Sequence, residues 1–262
     1  MRFDIITLFP ELFAPLLSHG ITRRAYESRQ VDVRLWQLRD FAEGNYRRVD
    51  DRPFGGGPGM VMLADPLYRC WQAIRADRAE VDAAPTVLFS PLGERLSHPV
   101  VERFCALRGA ILVCGRYEGV DQRFIDACVD VQLSLGDFVL SGGEIPAMAL
   151  LDAVARLQPG VLNDEGSHQQ DSFNPALDGL LDCPHYTRPE VWSGPQGEQP
   201  VPPVFLSGHH QQIEAWRRQQ RLRLTAQCRP DVLSQVRAEG GLSAADEQVL
   251  LGLSSNACEK SL

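Results

Sequence analysis

Ala110-Ile111-Leu112-Val113-Cys114-Gly115-Arg116-Tyr117-Glu118-Gly119 is a short apolar run that stops on a polar, glycine-bearing loop. A run of this length with no polar interruption reads as a strand buried on both faces, as in a parallel sheet. Ligands of open parallel sheets bind at the carboxyl ends of strands, where such a loop lies. The same arrangement occurs twice more. Ser90-Pro91-Leu92-Gly93 follows the apolar residues 86–89, and Ser134-Leu135-Gly136-Asp137 follows the apolar residues 129–133. One glycine after a strand is ordinarily a turn; three such loops at equivalent strand ends predict a pocket.

Outward from these loops, residues 3–8 and 31–36 read as further strands, and residues 64–78, 99–107 and 121–128 as helices. The alternation predicts an α/β layer with a mostly parallel sheet over residues 1–160. Leu140-Ser141-Gly142-Gly143-Glu144-Ile145-Pro146 opens another helix, and Ser141 with Glu144 three residues on reads as a capping box. On the helical wheel Ala147, Leu150, Leu151, Val154 and Leu157 form a core face. Ile145, Met148, Asp152 and Arg156 lie opposite. That mixture of apolar and charged residues predicts a face covered by a partner subunit or a ligand, or else a surface ion pair at i,i+4 spacing.

The periodicity stops at residues 161–178, whose polar centre reads as a linker or mobile loop. Residues 179–262 form a smaller, mainly helical region with helices expected at 209–224, 230–237 and 243–253. The first of these carries Ile213, Trp216 and Leu224 on one side. Arg217, Arg218, Arg221, Arg223 and Arg229 follow with only Glu214 opposing in sequence, which suits either an ordinary surface helix or one that contacts phosphates. His209 and His210 are adjacent and cannot share a helix face, so a metal site there is not expected.

The chain has 262 residues, room for one or two domains, with 44% hydrophobic and 23% charged residues. That balance belongs to a soluble globular enzyme rather than a disordered chain. No apolar run reaches the ~18 residues of a membrane span, and the N-terminal stretch lacks the marks of a signal peptide. The seven cysteines form no CxxC pair, which fits a reducing cytoplasm. The net charge of −8 argues mildly against nucleic acid, although nearly every cation is Arg and the single Lys is Lys260. Arg52-Pro53-Phe54-Gly55-Gly56-Gly57-Pro58-Gly59-Met60 is neither a Walker loop nor a dinucleotide fingerprint. It reads as a solvent loop, or as bare backbone lying against a cofactor or nucleic acid beside Arg47, Arg48 and Arg52.

Ordered strings along the chain resemble the bacterial tRNA (guanine-N1)-methyltransferases of the SPOUT superfamily. They are Leu8-Phe9-Pro10-Glu11, residues 49–60, 112–119 and 136–144, Asp171-Ser172-Phe173, and residues 181–190, and the likeness extends to about Leu253. Phe54 stands where the family usually has Tyr, and Leu92 where a polar residue is expected. The resemblance implies a deep trefoil knot in the catalytic region, a rare exception to unknotted connections. It implies S-adenosylmethionine held by Phe89, Ser90, Pro91, Gly115, Tyr117, Glu118 and Gly119. The other expected binding residues are Ser134, Leu135, Gly136, Asp137, Phe138, Val139, Leu140, Gly142, Gly143 and Pro146. It further implies a homodimer with each site built from both subunits, and methylation of N1 of the guanine just 3′ of the anticodon in tRNA. Asp171 would be the general base, Arg156 would stabilise charge on the guanine, and Glu118 would be linked to magnesium dependence. Two rivals remain: a metal-dependent phosphohydrolase using Asp50, Asp51, Glu118 and Asp171, and a non-catalytic RNA-binding protein.

Overall fold

A computed structural model describes residues 1–78, 84–163, 166 and 168–258, the side chains of 254–258 excepted. Part of the polar stretch 163–171 (Asp164, Glu165 and Ser167) therefore lies outside the described residues, as does Lys260. The chain divides into two compact units, Met1–Asp164 and Glu165–Leu262.

In the first unit β1 is Arg2–Thr7 and β2 is Asp32–Gln37, with the short helices α1, Ala14–Ser18, and α2, Arg23–Glu27, between them. A small hairpin follows, β3 at Asp50–Asp51 and β4 at Val61–Met62. Then come α3 (Ala64–Asp77), β5 (Thr86–Arg95), α4 (His98–Ala106), β6 (Gly109–Val113), α5 (Gln122–Cys128), β7 (Val131–Ser134) and α6 (Glu144–Arg156). The central sheet has the order β2-β1-β6-β5-β7, and every neighbouring pair is parallel.

Side chains alternate across this sheet because successive residues of a strand point to opposite faces. Phe3, Ile5, Ala110 and Leu112 enter one core with Leu150, Leu151 and Val154 of α6. Ile6, Ile111 and Val113 enter the other with Leu67, Cys70 and Ile74 of α3. A sheet covered on both faces needs apolar residues at every position, which is why residues 110–113 read as an unbroken run.

Three local expectations are corrected. Residues 90–93 bulge out of the ladder, but the strand does not end there: Phe89 and Glu94 both stand opposite Leu133, and β5 resumes and runs to Arg95. The capping box does not form. Gly143 is the N-cap of α6 without a side-chain cap, and Glu144 turns inward instead, where Thr7 and Arg116 attract it. The helix expected at 121–128 starts one residue later, and Asp121 caps it by accepting from the Arg123 N–H at 2.9 Å.

The second unit contains a hairpin, β8 (Val191–Gly194) with β9 (Gly197–Pro200), and three helices: α7 (His210–Cys228), α8 (Pro230–Ala238) and α9 (Ala244–Cys258). Its core is Leu180, Leu222, Leu233, Val236 and Leu250. The buried stripe of α7 is therefore Arg221, Leu222 and Thr225, not the expected line of Ile213, Trp216 and Leu224. Trp216 packs with Tyr186 and Phe205 as an aromatic trio. The segment before α7 is tied to this unit. Phe173 N–H donates to the Leu180 carbonyl at 3.0 Å, and Asp182 N–H donates to Ser172 Oγ at 2.9 Å.

Candidate active site

The bulge within β5 and the carboxyl ends of β6 and β7 converge on one cleft of about 490 Å³. Every residue expected to hold the cofactor lies in its wall except Asp137, which points to Arg95 at 2.7 Å. Leu88, Leu133, Ile125 and Val120 add apolar surface, and Arg116, Gln122, Gln132 and Ser141 add polar groups. Sequence reasoning did not single these out as binding residues, although Arg116 and Ser141 stood inside quoted motifs.

Backbone contacts draw the loops together. Gly143 N–H donates to the Gly115 carbonyl at 2.9 Å, and Arg116 pairs with Gly142. A Cβ at Gly143 would lie 2.8 Å from Cys114 Cα, and one at Gly93 would lie 2.4 Å from the Gln132 carbonyl carbon. These glycines are where strands of backbone cross too closely for a side chain. Gly115 differs: a Cβ there would meet only Val120 and Leu88, at 3.5 and 3.6 Å.

Beneath the cleft lies a buried polar relay. Phe9 N–H donates to Thr7 Oγ1 at 3.0 Å, and Thr7 donates to Glu144 Oε1 at 2.9 Å. Glu144 Oε2 is 2.9 Å from the Arg116 guanidinium, close enough for an ion pair but without hydrogen-bond alignment. Arg116 also donates to the Ser141 carbonyl at 3.1 Å and stacks over Phe9. Burial holds the Cys114 thiol well above its usual range, so it stays protonated and serves as packing.

Tyr117 takes a positive φ of 61°, and its phenol ionises less readily than usual, first from burial and then from the charge of Asp50, with Arg39 opposing. Glu118 is exposed at the cleft margin, with its side chain against Gly59. Among the described residues no group of three or more His, Cys, Asp or Glu side chains is placed to hold a metal. Glu118 therefore stands in no such group among the described residues.

Arg156 is the last residue of α6, half-buried. On the same face Asp152 accepts from Thr22 Oγ1 at 2.8 Å, and Ile145 is 49% exposed. Asp171 belongs to the second unit. Its N–H donates to the His168 carbonyl at 3.3 Å, and its carbonyl accepts from the Asn174 N–H at 3.2 Å. The side chain that caps the turn at Pro175–Leu177 is Asn174, which accepts from the Ala176 N–H at 2.9 Å.

The arginines of α7 are less available than the sequence suggested. Arg217 pairs with Glu214, Arg218 with Asp178 and Asp246, Arg221 approaches Asp182, and Arg229 pairs with Asp231. Asp178, Asp182 and Asp246 come from distant segments, whereas Glu214 and Asp231 are close in sequence.

A parallel α/β sheet with a glycine-walled cleft at its strand ends defines a small-molecule-binding enzyme of the α/β class. The family described as tRNA (Guanine-1)-methyltransferase TrmD matches residues 1–235, and the chain belongs to it. The chain is similar to the tRNA (guanine-N(1)-)-methyltransferase of Paracidovorax citrulli, at 71% identity over 97% of this chain and 98% of that one. It is similar to the proteins of the same name from Leptothrix cholodnii, at 62% identity over 97% and 99%, and Bordetella pertussis, at 55% identity over 97% and 98%.

Proposed function

We propose that the protein uses S-adenosylmethionine to methylate N1 of the guanine immediately 3′ of the anticodon, position 37, in tRNA. The observation that carries this reading is the cleft, whose wall is assembled from the three glycine-bearing loops in a chain of this family. Its volume falls within the ~300–1,000 Å³ of small-ligand sites. Its mixed wall, apolar at Leu88 and Leu133 and polar at Arg116, Gln122, Gln132 and Ser141, suits a nucleoside bearing a charged chain. The deep knot that the family resemblance implies is the proposed cofactor holder, and the close backbone approaches at Gly93 and Gly143 make its wall compact.

S-adenosylmethionine, when bound, supplies a methyl group already activated on a sulfonium. The chain then has to orient the guanine, take its N1 proton and keep water out. Alignment alone supplies up to roughly 7–11 kcal/mol of the barrier. Asp171 is the proposed base. A carboxylate with a usual pKa of about 3.9 is weak for this proton, so the guanine has to be made more acidic. Arg156 does this by stabilising negative charge as it builds on O6. Glu118 fits no metal site of its own, and no step is assigned to magnesium. A homodimer, with each site built from both subunits, would cover the α6 face bearing Ile145, Met148 and Arg156. No helix among the described residues is long and apolar enough to cross a membrane, and the proposed compartment is the cytoplasm.

The test is methyl incorporation from labelled S-adenosylmethionine into tRNA transcripts, with nucleoside analysis of the product. The expected product is 1-methylguanosine at the anticodon-adjacent position. Phosphate release with magnesium alone would favour the hydrolase, and binding without methylation the RNA-binding protein.

A further inference from the structure

The β3–β4 hairpin carries a side chain the fold does not use. Phe54 stands in its connecting loop, 101% exposed, and packs against nothing. The glycines beside it are not slack: Gly55, Gly56, Gly57 and Gly59 hold φ of 85°, 79°, 120° and 79°, which L side chains rarely adopt. The loop therefore has a defined shape that presents an aromatic ring to solvent.

Charges of both signs flank it, and one cation is left over. Arg52 precedes the loop and forms no ion pair among the described residues, while Arg47 and Arg48 lie within 2.7 and 3.7 Å of Asp40 and Asp51. The root of the hairpin is fastened to the cleft wall. Met62 N–H donates to the Gly119 carbonyl and Glu118 N–H to the Met60 carbonyl, each at 2.9 Å, and Gly59 lies against the Glu118 side chain. A bare aromatic plane with a free guanidinium beside it, continuous with a ligand cleft, has the chemistry of a single-stranded nucleic acid platform.

We propose that Phe54 is a base-stacking residue, its ring lying against a base next to the guanine that leaves the anticodon-loop stack, with Arg52 on an adjoining phosphate. The proposal rests on the tRNA-methylating reading above. A base that flips out leaves its neighbour without a stacking partner, and an aromatic ring replaces that partner without regard to sequence.

The experiment compares full-length wild type with Phe54→Ala, Phe54→Leu, Phe54→Tyr and Phe54→Trp. Three readouts are taken: steady-state methylation of tRNA transcript, fluorescence of a 2-aminopurine placed beside the target guanine, and sedimentation. The Ala and Leu variants are expected to lose about 5- to 150-fold in kcat/KM for tRNA and to leave the 2-aminopurine bright. Tyr and Trp restore both signals, and the rise in Tm caused by S-adenosylmethionine is unchanged in all four. A wild-type kcat/KM in the Ala variant, or a Leu variant as good as Trp, overturns the stacking role. Dissociation of the Ala variant into a smaller species overturns it in favour of a contact with a second copy. If wild type does not methylate tRNA, the functional reading fails by itself, and the 2-aminopurine signal still decides whether Phe54 stacks on RNA.

Discussion

Replacing Asp171 with Asn removes a proton acceptor while keeping the side chain's shape. Asn174 supplies the cap of the following turn, so that cap does not depend on the Asp171 carboxylate. Asp171→Asn is expected to keep the fold and the cofactor-induced rise in Tm, and to lose on the order of 10²–10⁴ in rate. Arg156→Ala is expected to lose a comparable amount through uncompensated charge on the guanine. Single-turnover methylation with tRNA and S-adenosylmethionine both saturating reads these losses free of binding defects, and near-wild-type turnover of the Asn variant would remove Asp171 as the base. Glu144 presents the opposite case, a carboxylate 1% exposed beneath the cleft and held by Thr7 and Arg116. Glu144→Ala removes the buried acceptor of Thr7 and the carboxylate beside the partly exposed Arg116, so it is expected to cost about 1–3 kcal/mol in urea unfolding. A loss under 1 kcal/mol would mean that solvent reaches the guanidinium.

At the scale of elements, the bulge within β5 and the loops after β6 and β7 carry the prediction for the cofactor. A Cβ at Gly115 meets only ordinary contacts, so Gly115→Val is expected to fold normally yet abolish the Tm rise given by S-adenosylmethionine. An undiminished rise would place the ligand elsewhere. In the second unit Arg218 hydrogen-bonds Asp246 and holds its carboxyl well below the usual range, joined by Ser243 and opposed by partial burial. A depressed folded-state pKa gives stability that is present above the usual carboxylate value and lost as pH falls through the folded one. Asp246→Asn is therefore expected to unfold at lower urea than wild type at pH 7, with the gap closing below about pH 4; a pH-independent gap would mean the charge is not what matters. The strands and helices around the cleft were legible in sequence because burial on both faces writes itself as apolar runs. The β8–β9 hairpin was not, since Val191, Trp192 and the residues that follow are largely exposed and bear no alternation of apolar and polar. The inward turn of Glu144 and the pairing of the α7 arginines were illegible for another reason: their partners, Thr7, Asp178 and Asp246, lie far away in sequence.

For the whole molecule, the exposed apolar residues Phe138, Val139 and Ile145 at and beyond the cleft call for a covering surface. The protein is expected to sediment as a dimer at micromolar concentration, and a stable monomer with full activity would exclude a site shared between subunits. With a net charge of −8, affinity for tRNA has to come from local arginines. Raising salt from 50 to 200 mM is expected to weaken tRNA binding by well over tenfold if several phosphates are contacted, and a flat salt profile would count against tRNA as the partner. The order of the central sheet bears on how the protein is made. β1 is the first strand to leave the ribosome, yet it lies between β2 and β6, with β5 and β7 beyond. A nascent chain that has emerged only as far as α4 holds β1 and β2 with one edge open and β5 with no parallel neighbour to join. It must stay unpaired until β6 arrives, and the far edge closes only with β7. Synthesis thus exposes sticky, half-built sheet for most of the first unit's translation, a window in which chaperones and aggregation compete for the same edge.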